Sequence, residues 1–253
     1  MLFKAFTATF LLLCAATCNA ATLYLVGDST MAIGGGGSGT EGWGQVLAPF
    51  FTIPVVDKAI AGRSARSYTT EGHFNDLFAI VKSGDWVVIE FGHNDGTSNP
   101  DNGRSDCPGN SVTATCTVVD NGVSVVTHTF NFYVQNAVTT LASKGVKTVV
   151  SSVTPDNGFP FGPASSNRFV GFASLAASRT GADFVDHYSY VVQAYNALGE
   201  KTVNTFYPID HTHTSAAGAL VVAEAFVKGL SCGTSKLKAS LSSASKNIPN
   251  GCL

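Results

Sequence analysis

Charge is scarce in this chain of 253 residues: Asp, Glu, Lys and Arg together make up 13% of it, and the formal balance is −2. No stretch gathers a basic stripe, which argues against nucleic acid as a partner, because such a surface must cluster Lys and Arg against phosphates. With 45% hydrophobic residues, the shortage of charge is that of a globule with a sizeable core and not of a disordered polymer. Beyond the first twenty residues no apolar run is long enough to span a bilayer. Asn-x-Ser/Thr sequons are absent, and no cysteine pair has the Cys-x-x-Cys spacing of a structural zinc site. The glycine-rich run Gly34 to Gly39 lacks the Lys-Ser/Thr ending of a phosphate-binding loop, so it reads as a flexible loop.

What is present begins with a leader. Met1-Leu2-Phe3-Lys4 carries one positive charge, an apolar run follows from Ala5 to Leu13, and Cys18-Asn19-Ala20 offers small residues to a signal peptidase. The expected organisation is a secretory signal over residues 1–20 and one domain over 21–253, with a formal charge of −3 once Lys4 is removed. The product is expected to be extracellular, monomeric and free of membrane. Four cysteines remain, Cys107, Cys116, Cys232 and Cys252. In an oxidising compartment they allow two disulfides in three pairings. The local pairing, Cys107 with Cys116 and Cys232 with Cys252, is the expectation. Each loop so closed would restrict the unfolded chain by roughly 3 kcal/mol.

Hydrophobic patterning alternates strand with helix. Leu23-Tyr24-Leu25-Val26 reads as a buried strand, followed by a short helix from Gly42 to Phe51 and a second strand over Val55 to Ile60. Phe74, Leu77, Phe78 and Val81 recur at helical spacing, ended by Gly84. Trp86 to Phe91 is a third strand, apolar on both faces except at Glu90, as expected of a parallel strand covered on both sides. Residues 97–128 break the rhythm. They are polar and carry a cysteine pair, and Asp120-Asn121-Gly122 between two valine-rich runs signals a hairpin. A helix with Phe130, Val134, Ala137, Val138 and Leu141 follows, then a strand over Val146 to Val153, a helix through Phe169 to Ala176, and a strand over Ala182 to Val185. The last helix carries Leu220, Ala223, Phe226 and Val227. This order predicts a three-layer α/β/α domain around a parallel sheet.

In such a fold the ligand crevice lies at the carboxyl ends of the strands. Gly27-Asp28-Ser29-Thr30 follows the first strand, Gly62 the second and Asn94 the third, while Asp210 and His213 precede the last helix. Together these residues meet the needs of acyl transfer. Ser29 would attack a carbonyl carbon, His213 would take its proton, and Asp210 would orient the imidazole from one helical turn away. The backbone N–H groups of Ser29 and Gly62 and the side-chain amide of Asn94 would receive the oxyanion. Taken singly, each piece also has a plain reading: a turn at Asp28-Ser29 and at Asn94-Asp95-Gly96, a loop histidine at His213. A metal pair at His211 and His213 is a weak alternative. No metal or cofactor is expected.

The blocks Gly27-Asp28-Ser29-Thr30, Gly62, Gly92-His93-Asn94-Asp95 and Asp210-His211-Thr212-His213 resemble those of the SGNH or GDSL hydrolase superfamily. Longer runs are similar to the fungal rhamnogalacturonan acetylesterase family. They are Gly-Asp-Ser-Thr-Met-Ala, Ala-Gly-Arg-Ser-Ala-Arg-Ser-Tyr, Glu-Phe-Gly-His-Asn-Asp-Gly and Asp-His-Thr-His-Thr-Ser-x-Ala-Gly-Ala. The resemblance implies a flavodoxin-like sheet of five parallel strands and a serine esterase that removes acetyl groups from a pectic polysaccharide. Composition and spacing by themselves leave open a GDSL-type lipase or lysophospholipase, or a non-catalytic flavodoxin-like binding module. Because a pectic substrate carries carboxylates and the chain is itself slightly negative, local cations would have to recognise it. Arg63 and Arg66, just past Gly62, are the candidates for substrate binding; the plain reading of each is a solvated loop residue or a structural ion pair.

Overall fold

The computed structural model describes residues 20–96, 102–161 and 167–253; the expected signal peptide, Ala20 apart, lies outside them. Its strands are β1 (Leu23–Gly27), β2 (Val55–Asp57), β3 (Trp86–Glu90), β4 (Thr115–Asp120), β5 (Val123–His128), β6 (Lys147–Ser151) and β7 (Asp183–Val185). β1, β2, β3, β6 and β7 form one parallel sheet in the order β2-β1-β3-β6-β7, and β4 and β5 pair antiparallel outside it.

Successive side chains of a strand face opposite ways, and here each way leads into a separate core. Leu23 and Leu25 enter one apolar cluster and Val26 the other; Trp86 and Val88 oppose Val87 and Ile89; Val149 opposes Val150. The second cluster is closed by α1 (Ala65–Thr70), α2 (His73–Ile80), α3 (Phe130–Ser143) and α4 (Arg168–Thr180). The first is closed by α5 (His187–Leu198), α6 (Glu200–Asn204) and α7 (Ala216–Cys232). A sheet apolar on both faces with helices on both is the expected three-layer sandwich.

The sheet order has a consequence for function. The chain moves from β1 outward to β2, then crosses to β3 on the other side of β1. The connections leaving β1 and β3 therefore diverge and open a crevice beyond their carboxyl ends. Ser29 follows β1 and Asn94 follows β3.

Glu90, the polar exception in β3, is buried in a network of its own. Its Oε1 accepts from Trp43 Nε1 at 2.9 Å, and its Oε2 accepts from Ser151 Oγ at 2.5 Å and faces His187 Nδ1 at 2.7 Å. His187 Nε2 in turn lies 2.8 Å from the Val222 carbonyl. A buried carboxylate is tolerable only with such partners.

Several elements differ from expectation. The helix expected over Gly42 to Phe51 is two 3-10 turns, Trp43–Val46 and Ala48–Phe50. Pro49 has no N–H to donate to an α-helical ladder, so the turns close by i to i+3 bonds instead. The second strand ends at Asp57, though Lys58 and Ile60 still donate to the Leu25 and Gly27 carbonyls. Three helices have no counterpart in the sequence reading: α1, α5 and α6. Helix α5 is rich in Tyr and β-branched residues, which are weak helix formers. It is held by its Asp186 N-cap and by the packing of Tyr188, Val191 and Tyr195.

The hairpin is present, with Asp120 opposite Val123 and Asn121 and Gly122 both at positive φ, as a two-residue type I′ turn requires. The cysteines pair Cys107 with Cys116 and Cys232 with Cys252. The first pair closes the base of the hairpin excursion. The second returns the tail to α7, and Ser242 N and Thr52 N bond across to the Phe50 and Ser240 carbonyls.

Candidate active site

The strand β1 stops at Gly27, where a Cβ would stand 2.7 Å from the Glu90 carbonyl and 2.9 Å from Met31 Sδ. The next residue, Asp28, is buried and turns the chain: its Oδ1 accepts from Thr30 N at 3.0 Å and from Thr30 Oγ1 at 2.8 Å, while its carbonyl accepts from Met31 N and Ala32 N. Burial raises the Asp28 carboxyl above its usual range, although the nearby His93 and the Thr30 bonds work against the rise. Ser29 sits in this turn, 5% exposed, with its Oγ 2.8 Å from His213 Nε2.

On the far side of the ring, His213 Nδ1 lies 2.6 Å from Asp210 Oδ2. Asp210 Oδ1 accepts from Thr212 N and His213 N, each at 2.8 Å. These two backbone bonds show that the pair is joined by an Asx-type turn. The helical turn that the three-residue spacing suggests is absent, and α7 starts only at Ala216, capped by Ser215. Desolvation opposes ionisation of Asp210, but the His213 and Thr212 bonds outweigh it and hold its carboxyl below the ordinary value. An ionised Asp210 can only accept, so the ring proton belongs on Nδ1 and Nε2 is left to accept the Ser29 hydroxyl proton.

The glycine-rich run packs against this histidine. A Cβ on Gly36 would overlap the His213 ring. Hydrogen bonds tie the run to itself and to the segment beside His213. Thr40 Oγ1 donates within reach of the Gly34 and Gly37 carbonyls and accepts from Gly36 N, Glu41 Oε1 accepts from Gly34 N, and Glu41 N bonds the Thr214 carbonyl beside His213.

The opposite wall carries Gly62 and Asn94. Gly62 has φ +76°, open to glycine and strained for other residues. Asn94 Nδ2 donates to the Arg63 carbonyl at 3.2 Å. Arg104, which the sequence reading assigned no role, reaches both: its Nη1 donates to Asn94 Oδ1 at 3.2 Å, and a Cβ on Gly62 would stand 3.0 Å from its Nη2. Arg104 ends the Asp-Asn-Gly-Arg segment at Asp101 to Arg104, which belongs to the family resemblance, but nothing in that segment assigns the guanidinium a role. Next to Asn94, Asp95 Oδ1 accepts from Ala65 N at 2.9 Å, while Oδ2 of Asp95 and Oδ2 of Asp106 are both buried with no hydrogen-bond partner among the described residues. Burial, and then repulsion from Asp106, pushes Asp95 well above the usual carboxylate range; burial raises Asp106 as well. Repulsion between two such carboxyls disfavours ionising both.

The two candidate substrate arginines are engaged elsewhere. Arg66 is 4% exposed; its Nη2 bonds Asp120 Oδ2 at 2.9 Å and its Nη1 the Ser105 carbonyl at 2.8 Å. It ties α1 to the hairpin excursion and does not reach a rim, which corrects the expectation for its side chain. Arg63 remains partly exposed, but its Nε bonds Glu71 at 2.8 Å and its Nη1 bonds the Ala61 carbonyl at 3.0 Å. His211 contributes its carbonyl to Asn157 N at 2.7 Å, and His213 is committed to Ser29 and Asp210. Among the described residues no three His, Cys, Asp or Glu side chains cluster as a metal site, and no helix is long and apolar enough to cross a membrane.

Residues 25–221 match the model of the GDSL-like Lipase/Acylhydrolase family. The rhamnogalacturonan acetylesterase of Emericella nidulans is 50% identical over 216 residues, which cover 84% of this chain and 86% of that one. The probable rhamnogalacturonan acetylesterase YesY of Bacillus subtilis is 26% identical over 220 residues, 82% of this chain and 91% of that one. Among solved structures, YxiM of Bacillus subtilis superposes with a TM-score of 0.66 at 21% identity. That match covers 84% of this chain but spans only 56% of YxiM, so the likeness speaks to the fold alone.

Proposed function

From the premise that the chain belongs to the GDSL-like lipase/acylhydrolase family, we propose that it is a secreted, monomeric serine esterase that removes acetyl groups from the rhamnogalacturonan backbone of pectin. The observation that carries the reaction class is the unbroken row of hydrogen bonds from Ser29 Oγ through His213 to Asp210. Support for the substrate comes from the 50% identity with the Emericella nidulans enzyme.

In this reading Ser29 Oγ attacks the acetyl carbonyl carbon as its proton passes to His213 Nε2. The imidazolium so formed is stabilised by Asp210, and the tetrahedral oxyanion is received by Ser29 N–H, Gly62 N–H and Asn94 Nδ2. His213 then gives the proton to the departing sugar hydroxyl, leaving acetyl-Ser29. Water, deprotonated by His213, attacks the acetyl carbonyl; collapse releases acetate and restores the Ser29 hydroxyl. Every role is filled by a side chain or backbone group of this chain, so no metal or cofactor takes part.

The test is acetate release from acetylated rhamnogalacturonan oligosaccharides, acetylated xylan, p-nitrophenyl acetate and a long-chain p-nitrophenyl ester. The reading requires the pectic oligosaccharides to give the highest kcat/KM among the polysaccharides and the long-chain ester to be a poor substrate. Preference for the long-chain ester would make the chain a lipase, and preference for xylan would replace the substrate.

A further inference from the structure

We propose that Arg104 is a positioning residue for Asn94, fixing which end of its amide the site presents to the oxyanion. This rests on the serine-esterase reading above. The amide oxygen and nitrogen of an asparagine are nearly the same size, so a half-turn about the last side-chain bond exchanges them at little steric cost. An oxyanion hole cannot tolerate that exchange: Nδ2 stabilises the developing charge, whereas Oδ1 in its place repels it. Two groups in the structure oppose the wrong orientation. The Arg63 carbonyl, 3.2 Å from Nδ2, would repel Oδ1, and the Arg104 guanidinium, 3.2 Å from Oδ1, would repel an NH₂ group. A cation on Oδ1 also polarises the amide and strengthens Nδ2–H as a donor.

Arg104 is suited to this task because it is anchored and, among the described residues, pairs with no acid. Its carbonyl accepts from Ser64 Oγ at 2.8 Å, and Ser64 also caps α1. Its neighbour Ser105 is bonded by Arg66, and Cys107, three residues on, is locked in a disulfide and donates its N–H to the His128 carbonyl. Among the described residues no carboxylate forms an ion pair with Arg104. The guanidinium approaches Gly62 so closely that a Cβ there would stand 3.0 Å from its Nη2. The absence of a side chain at position 62 therefore serves the arginine as well as the backbone donor. In this account the hairpin excursion delivers one cation to the back of the oxyanion hole.

The experiment compares Arg104→Met and Arg104→Lys, each alone and combined with Asn94→Ala, on neutral p-nitrophenyl acetate and on acetylated rhamnogalacturonan oligosaccharides. Arg104→Met should lower kcat about 10- to 100-fold on both substrates with little change in KM, less than the loss of the oxyanion donor itself. Arg104→Lys, which keeps the charge but not the planar fork, should recover part of the loss. In the Asn94→Ala background neither substitution should cost more than about twofold, because the group being positioned is gone. If Arg104→Met does not fold, Arg104→Lys in the two backgrounds decides the same question. The proposal is overturned if the losses multiply across the two backgrounds. It is also overturned if only KM for the charged oligosaccharide rises, which would make Arg104 a reader of substrate carboxylates. Wild-type enzyme that hydrolyses p-nitrophenyl acetate but not the oligosaccharide would defeat the substrate reading alone, and the p-nitrophenyl acetate series would still decide the role of Arg104.

Discussion

His213 is held by its neighbours in sequence, whereas Asn94 is held by residues 31 and 10 positions away. On the His213 wall, Asp210 orients the ring through one side-chain and two backbone bonds within four residues, in a partly exposed turn. On the Asn94 wall, the amide is set by a carbonyl from the loop after β2 and a guanidinium from the hairpin excursion, next to the buried Asp95 carboxyl. The two walls also treat acids oppositely: Asp210 is kept below the ordinary carboxylate range and Asp95 well above it. On the first wall the contacts that orient the ring are local, although Ser29 and Gly36 come to it from the start of the domain. The other exists only once three distant segments have packed, and damage far from the crevice should reach it.

The largest effect expected is on the His213 wall. Ser29→Ala, His213→Ala and the double variant should each lose about 10⁴–10⁶ in kcat and be nearly equal to one another, because nucleophile and base act as a unit. If the double variant instead shows the product of the two single losses, the pair does not share a step and the comparison of walls loses its first term. Next comes the Asn94 wall, where Asn94→Ala should cost about 10²–10³ in kcat with a smaller change in KM. A pure KM effect would move Asn94 from the oxyanion to substrate binding.

The third effect separates the arginines. Arg66→Ala leaves Asp120 without its partner and should destabilise the fold by about 2–3 kcal/mol in denaturant titration, toward the low end for a buried pair. Arg63→Ala, whose pair with Glu71 is partly exposed, should cost about 0–1 kcal/mol. Equal losses would mean that the hairpin is not tied through Arg66.

The smallest effect is a pH slope. Asp106 titrates at about 6 in the folded protein, against roughly 3.9 for an unperturbed Asp. A carboxyl raised on folding favours the native state while protonated, so its contribution is complete below the unfolded value and is lost as pH rises through the folded one. Thermal stability should therefore decline between about pH 4 and pH 6, and Asp106→Asn should flatten that decline. Asp210, shifted downward, contributes with the opposite sign: its share is present above its unfolded value and lost as pH falls through the folded one. A slope unchanged by Asp106→Asn would show that the buried pair of Asp95 and Asp106 does not titrate in this range.

Much of the architecture was legible because it rests on local rules. Near-continuous apolar runs at Leu23 to Val26 and Trp86 to Phe91 announce strands buried on both faces, and the order of strands and helices leads to the three layers. Asn121-Gly122 marks its turn because few other residues accept two successive positive φ angles. The Asp210–His213 contact is equally local, although the turn that makes it is not the helical one that the spacing suggests. Helix α5 was not legible in the sequence because packing of Tyr188, Val191 and Tyr195, more than the propensity of its residues, holds it.

Sequence by itself thus determined which apolar runs become strands and which polar residues follow them, since periodicity and turn chemistry act over a few residues. Only the tertiary structure decided which cations serve the site. Arg63, Arg66 and Arg104 are alike as residues, and nothing within a turn's length of any of them says what it will meet. Folding gives Arg63 to Glu71, buries Arg66 against Asp120, and sets Arg104 against Gly62 and Asn94. A guanidinium's role is fixed by whichever acceptor lies within about 3 Å of its planar fork. For Arg104 and Arg66 that acceptor arrives from another segment, because the hairpin excursion packs against the loops after β2 and β3.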